Sequence, residues 1–345
     1  MNTAYSLDDI LLEPQYSSIK SRLDVDIRTR VSTHYWLQAP IMTTNMSCIT
    51  EKDMMVAAHS VGAGAALHRF LSVPEQCNQA REAKQAGVSP VIASIGVGDD
   101  EYRRAEQLMV YGTNVLLLDV AHAHTSMVYE QVENLQDRPV TVDLIVGNIA
   151  TYDAAMQLLK RGVNGVRVGI GGGSKCITRT VTGHGVPNLT ALLNVVKARD
   201  DYKKSTTAYV PVIIDGGIKN SGDIVKALYF GADVGCVGNV ISATQETPGA
   251  VVMENGQPCK KYYGMASKEA QDVHRNGLKI GTAPEGVSSL VPLKGSVIPI
   301  LEELIGGIRS GFTYSGAMDI EELRERGKPM YLSTASQFES KFITK

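Results

Sequence analysis

Residues 169–185, GIGGGSKCITRTVTGHG, concentrate the residue types that could do covalent chemistry. Six of these seventeen residues are glycine, so the backbone can take unusual dihedrals and come close to a ligand. Ser174 and the amides around it could hydrogen-bond a phosphate. Cys176 sits in the middle, with Lys175 and Arg179 nearby in sequence. Neighbouring cations favour the thiolate, which is the nucleophilic form of cysteine. The alternative is a surface thiol without a role. Thr178, two residues on, could join a proton-transfer relay. A second group of candidates ends short apolar runs: Asn45, His68, Asp119, Asn148, Asp215 and Gly238.

Those runs must position the candidates. Eight of them, rich in Val, Ile and Leu, lie at 39–46, 62–68, 91–96, 115–121, 143–149, 165–171, 210–217 and 233–239. Continuous apolar runs of this length fit strands buried on both faces. Amphipathic stretches of helical length separate most of them, for example YDAAMQLLKRG and SGDIVKALYFG. An eightfold strand–helix alternation predicts an α/β fold of the (β/α)8 TIM-barrel class, with an open doubly wound sheet as the runner-up. The whole chain, 1–345, reads as a single catalytic barrel domain, with the barrel over about 39–311. Residues 1–38 are expected to pack across its base. The long polar insertion after strand eight, 251–292, is expected to be an active-site flap. Residues 297–309 read as the closing helix, and the tail from Ser333 onward as mobile. In such a barrel the C-terminal strand ends and their loops build the active site.

Composition narrows the function further. Lys and Arg number 34 against 36 Asp and Glu, a net charge of −2. No basic excess is present to neutralise a phosphate backbone, so nucleic acid is not an expected partner. No apolar run reaches the length of a membrane span, and the N-terminus carries an acidic pair where a signal peptide needs basic charge. A cytoplasmic protein with no membrane partner is expected. The cysteines number five, an odd count, without CxxC spacing, so neither a disulfide framework nor a zinc site is indicated.

The glycine-rich segment resembles the catalytic loop of the IMP dehydrogenase/GMP reductase family, whose pattern is close to G-x-G-P-G-S-x-C-T-T-R. Here Gly172 stands in the proline place and Ile177 where threonine is frequent. Further segments similar to the family follow in order: SLDDILLEP at 6–14, LDVAH at 118–122, VGNIA at 146–150, IDGGI at 214–218, YYGM at 262–265, PEG at 284–286 and GGIRSG at 306–311. The resemblance spans about residues 6 to 335. It implies a purine nucleoside monophosphate across the barrel mouth, with Asp215 on the ribose hydroxyls. It implies Ser174, Gly217, Gly238 and Asn239 around the phosphate, and Tyr262, Gly264 and Met265 lining phosphate and base. Cys176 would attack C2 of the purine, Thr178 and Glu285 would move the proton, and Asp119 and Asn148 would face the nicotinamide. It also implies a homotetramer, and it raises a monovalent cation such as K+ on the backbone carbonyls of Gly169, Gly171 and Cys176.

The same resemblance separates two activities. Dehydrogenases hydrolyse the Cys-bound intermediate with an Arg-Tyr pair on the flap. Here that place holds Asp272-Val273, and no Arg-Tyr occurs between Gly264 and Glu285; His274-Arg275 is near but lacks the phenol. There is also no room after His68 for the regulatory domains that dehydrogenases commonly carry. These features imply NADPH-dependent reductive deamination of GMP to IMP. The alternatives are an IMP dehydrogenase using NAD to make XMP, a variant acting on a deoxy or modified purine nucleotide, and a non-catalytic nucleotide-binding protein. Asn239 in place of serine and Ser47 in place of aspartate favour altered phosphate and base contacts and so a changed substrate, while Thr282-Ala-Pro-Glu-Gly286 and 306–311 lean toward the dehydrogenase form. A metal-dependent hydrolase built on His122, His124 and His68 is a further alternative from another class.

Overall fold

The computed structural model describes residues 3–137, 142–274, 277 and 281–339. Eight parallel strands close into one barrel: β1 (Ile41–Thr43), β2 (Gly64–Leu67), β3 (Ile92–Ile95), β4 (Val115–Asp119), β5 (Asp143–Ile149), β6 (Gly165–Val168), β7 (Val212–Ile214) and β8 (Val234–Val237). The ring is sealed by β8 on β1, with Gly235 opposite Ile41 and Val237 opposite Thr43. The open-sheet alternative is therefore wrong. Each expected run contains its strand. Most strands are shorter than the runs because the flanking glycines and polar residues leave the ladder for the loops.

Helices follow the strands outside the ring: α1 (Lys52–Ser60), α2 (Val73–Gln85), α3 (Asp99–Val110), α4 (Ser126–Gln136), α5 (Tyr152–Lys160), α6 (Asn188–Thr206), α7 (Ser221–Tyr229) and α8 (Val297–Ser315). Several begin where a short polar side chain accepts from the first turn. Ser72 and Glu75 form a capping box at α2, while Thr125, Thr151 and Asn220 cap α4, α5 and α7. Among the described residues, no helix is long and apolar enough to cross a membrane.

The barrel interior changes character along its axis. Its lower part is apolar, built by Met42, Ala66, Ile92, Leu117, Ile145 and Ile213 among others. Val31 and Leu37 join that cluster from a hairpin formed by Thr29–Arg30 and Trp36–Leu37. Among the described N-terminal residues, this hairpin is the part that joins the lower cluster. Residues Ile10–Leu12 instead pair with Pro329–Tyr331. The tail is also more ordered than expected through residue 339: Thr334–Glu339 is helical, and Gln337 donates to Asp9 at 2.8 Å. The expected closing helix continues six residues further, to Ser315.

The flap is a three-stranded antiparallel sheet of β9 (Val252–Glu254), β10 (Gln257–Tyr263) and β11 (Ser288–Pro292), with a short helix at Lys268–His274. Asn255 and Gly256, both at positive φ, make the tight turn between β9 and β10. The buried ammonium of Lys260 roots the sheet. It donates to the carbonyls of Thr244 and Gln245 at 3.0 Å and of Thr247 at 2.6 Å.

Above the apolar layers, Arg167 of β6 points into the ring, 2% exposed. Its neighbour across the ladder is Gly147. A Cβ at Gly147 would lie 2.6 Å from both the Cβ and the carbonyl oxygen of Arg167. Gly147→Ala should therefore cost on the order of 1–3 kcal/mol through overpacking. Chemical denaturation would measure it, and an unchanged midpoint would show that the two strands can separate locally.

Candidate active site

Arg167 organises the barrel mouth. Its guanidinium donates to Asp119, to Asn148 and, at 2.6 Å, to Asn45. Asp215 lies 3.7 Å from its Nε. Burial alone would lower its hold on the proton, but the charges of Asp119 and Asp215 outweigh that and raise it. Asn148, oriented by Arg167, passes its amide to Asp215 at 2.9 Å and to the carbonyl of Gly169 at 2.7 Å. Strand ends β4, β5, β6 and β7 thus share one hydrogen-bonded unit. Arg167 was missed among the candidates. Its signal was a lone arginine inside the apolar run GVRVG, where a buried charge must be paired. The carbonyl of Gly169 already receives the Asn148 amide, so a monovalent cation there would share it.

The expected nucleophile, Cys176, lies in the loop that follows β6. Cys176 is half-buried and its thiol donates to Thr178 Oγ1 at 3.1 Å. Thr178 donates to Glu285 Oε2 at 2.8 Å. The three expected catalytic residues therefore form one line, contributed by the loop and the flap. Backbone bonds fasten the two segments: Ile177 N to Glu285 O at 2.8 Å and Val287 N to Lys175 O at 3.0 Å. Gly264 fits beneath, where a Cβ would meet the Lys175 carbonyl at 2.7 Å. The cations expected beside the thiol have other partners. Lys175 donates to Ser289 at 2.6 Å, and Arg179 to the Val186 carbonyl at 3.0 Å. Loop geometry turns these side chains onto flap and loop backbone, and Thr178 is the thiol's hydrogen-bond partner.

Ser174, expected at a phosphate, meets the Tyr262 hydroxyl at 3.2 Å. Tyr262 is buried, and burial pushes its phenol up to about 12, so it keeps its proton. Gly238 is packed close to it: a Cβ there would lie 3.5 Å from the Tyr262 hydroxyl. Gly216 and Gly217, both at positive φ, abut the Gly172–Gly173 backbone and Asn188 respectively. Asn188 also escaped the sequence reading. Its amide donates to the Gly216 carbonyl, and any Cβ at Gly172 would collide with its side chain. This explains why glycine stands in the proline place. Asn239 is exposed, and its carbonyl accepts from Lys294 at 3.2 Å. Met265 turns its sulfur to Ser47, which also meets Tyr263 at 2.9 Å and His274 at 2.8 Å. Arg275 lies outside the described residues.

A cavity of about 1020 Å³ joins these groups, lined by Asp119, Asn148, Ser174, Cys176, Asp215 and Glu285 among others. The model for the IMP dehydrogenase/GMP reductase domain matches residues 4–342. The chain belongs to this family. It is 29% identical to an IMP dehydrogenase from Nitrosopumilus maritimus, over 97% of this chain and 97% of that protein. It is also 29% identical to a GMP reductase from Leishmania donovani, over 96% and 95%. Those alignments run over 468 and 479 positions, so both relatives hold segments absent here. A missing insertion therefore does not separate the two activities of the family. The fold is similar to a solved GMP reductase from Trypanosoma brucei, a cysteine-to-alanine variant in complex with guanosine 5'-monophosphate. The TM-score is 0.91 at 28% identity, covering 100% of this chain and 98% of that one.

Among the described residues, no group of three or more His, Cys, Asp or Glu could hold a metal ion. The metal-hydrolase alternative is left without a ligand set there. His68 instead meets Glu51 at 3.2 Å.

Two measurements follow from this geometry. Arg167→Met leaves Asp119 and Asp215 without their shared cation and should cost about 3–5 kcal/mol; a denaturant midpoint near wild type would contradict the network. The Tyr262 phenol rises from an ordinary 10.0 to about 12. Its contribution is complete below about pH 10 and is lost as pH climbs toward 12. Tyr262→Phe should flatten the stability decline across that window, and equal slopes would show the phenol to be solvated.

Proposed function

We propose that the chain is a GMP reductase, converting GMP and NADPH to IMP, ammonia and NADP+. The observation that carries this reading is the Cys176–Thr178–Glu285 line. It couples the nucleophile to a flap carboxylate, while the place of the dehydrogenase Arg-Tyr pair holds Asp272-Val273. His274, the nearest replacement for a water-activating base, is engaged with Ser47.

The chemistry follows from these positions. Asp215 holds the ribose hydroxyls, and Ser174, Tyr262 and the amides at Gly217 and Gly238 take the phosphate. Cys176 adds to C2 of the purine as thiolate. Glu285 and Thr178 deliver a proton to the 2-amino group, so that the C–N bond breaks and ammonia leaves. The product of this step is a thioimidate on Cys176. The flap sheet and the Ile177–Glu285 stitch keep water from it; otherwise it would hydrolyse. Asp119 and Asn148, fixed by Arg167, would face the nicotinamide, which supplies hydride when bound. The C–S bond then breaks, releasing IMP and the Cys176 thiolate. The family resemblance supports a homotetramer in the cytoplasm.

Nicotinamide absorbance tests the reading in two cuvettes. GMP with NADPH should show oxidation of the cofactor. Reduction of NAD by IMP, with silence in the first cuvette, would make the protein a dehydrogenase. Cys176→Ala should abolish turnover while leaving GMP bound. Thr178→Val and Glu285→Gln should each lower kcat by roughly 10²–10⁴-fold with little change in KM for GMP; wild-type rates would remove the relay.

A further inference from the structure

One barrel hydroxyl meets the flap at several points. Ser47, in the loop after β1, is 6% exposed. Its Oγ lies 2.9 Å from the Tyr263 hydroxyl of β10 and 2.8 Å from His274 Nε2, at the end of the flap helix. The Met265 sulfur lies 3.4 Å from the Ser47 amide nitrogen and 3.6 Å from its hydroxyl, and accepts from both. The next residue adds a grip: the Cys48 thiol donates to the Tyr263 carbonyl at 3.3 Å. Burial pushes that thiol up to about 11, so it keeps its proton.

The protons balance at this hydroxyl, which gives one hydrogen bond and takes up to two. Burial raises the proton affinity of the Tyr263 phenol, so it can donate to Ser47. If His274 Nε2 is bare, it takes the Ser47 proton. If Nε2 carries a proton, it donates, and the Ser47 proton goes to the Met265 sulfur. An ionised aspartate only accepts, so it could serve neither a bare Nε2 nor the sulfur. The same contacts bear on the cavity. Met265 and Gln271 line it, and Gln271 sits three residues before His274, on the same side of the flap helix. The His274 ring lies 5.1 Å from that of Phe70, a cavity-lining residue after β2.

We propose that Ser47 is a positioning residue: it holds the flap shut on the barrel and fixes Met265 in the wall of the cavity that takes the nucleotide. Removing its oxygen loosens Tyr263, Met265 and the flap helix together, because all three end on it. This rests on the proposed function only in taking the nucleotide to be GMP.

Hydrogen exchange and equilibrium GMP binding test this without turnover, both in a Cys176→Ala parent. Ser47→Ala should speed exchange in peptides covering 262–274 by about tenfold and weaken GMP by a similar factor. Peptides covering β5 should keep the parent's rates. Added to His274→Ala, Ser47→Ala should speed the flap helix by less than it does alone, since the two share one hydrogen bond. Unchanged exchange over 262–274, an equal acceleration across the barrel, or full additivity with His274→Ala overturns the proposal. So does unchanged GMP affinity with a loosened flap. If the parent binds no GMP, the purine-nucleotide reading falls and the exchange comparison alone decides the role of Ser47.

Discussion

A positive charge with almost no access to water governs the barrel mouth. A guanidinium buried as deeply as that of Arg167 is costly unless its donors are met by acceptors and its charge by carboxylates. Here Asn45, Asp119 and Asn148 accept from it, and Asp215 adds a second negative charge at 3.7 Å. Each of these groups belongs to a different barrel strand end or the loop behind it. One side chain therefore fixes the relative positions of the carboxylate proposed to hold the ribose and the groups proposed to face the nicotinamide. The strand behind it has to yield space, which is why the ladder partner is Gly147.

The glycine-rich loop rests on this base and is tightened from two sides. From below, Asn188 bonds the Gly216 carbonyl and fills the space over Gly172. From above, the flap pairs with the loop backbone at Lys175 and Ile177. The flap in turn is rooted by the Lys260 ammonium on the carbonyls at 244–247. Groups that must act together are thus placed before a ligand arrives, which is where much of the rate of such enzymes originates.

The barrel was legible because its strands are buried on both faces and so read as unbroken apolar runs. The run 143–149 coincides with β5 to the residue. The Cys176–Thr178–Glu285 line was legible through the family resemblance and the clustering of polar residues in a glycine-rich loop. Arg167, Asn188 and Lys260 were not, since each is a single polar residue whose partners are distant in sequence. Asn45, the acceptor for Arg167, lies 122 residues away. Lys175 and Arg179 show the converse. They adjoin Cys176 in the chain, yet the fold turns their charges onto Ser289 and Val186. Packing of residues 1–38 across the base was anticipated as a whole, whereas pairing of Ile10–Leu12 with Pro329–Tyr331 joins distant parts of the chain and leaves no local signature.

The stitch between loop and flap carries a timing consequence. Ile177 bonds the carbonyl of Glu285, Lys175 bonds Val287, and Thr178 bonds the Glu285 carboxylate. A flap that lifts to admit or release nucleotide must break all three at once. The thiol then loses its proton path in the same motion that lets bulk solvent in. In the proposed mechanism, armed and open would be mutually exclusive, because the same three bonds close the flap and connect the thiol to Glu285.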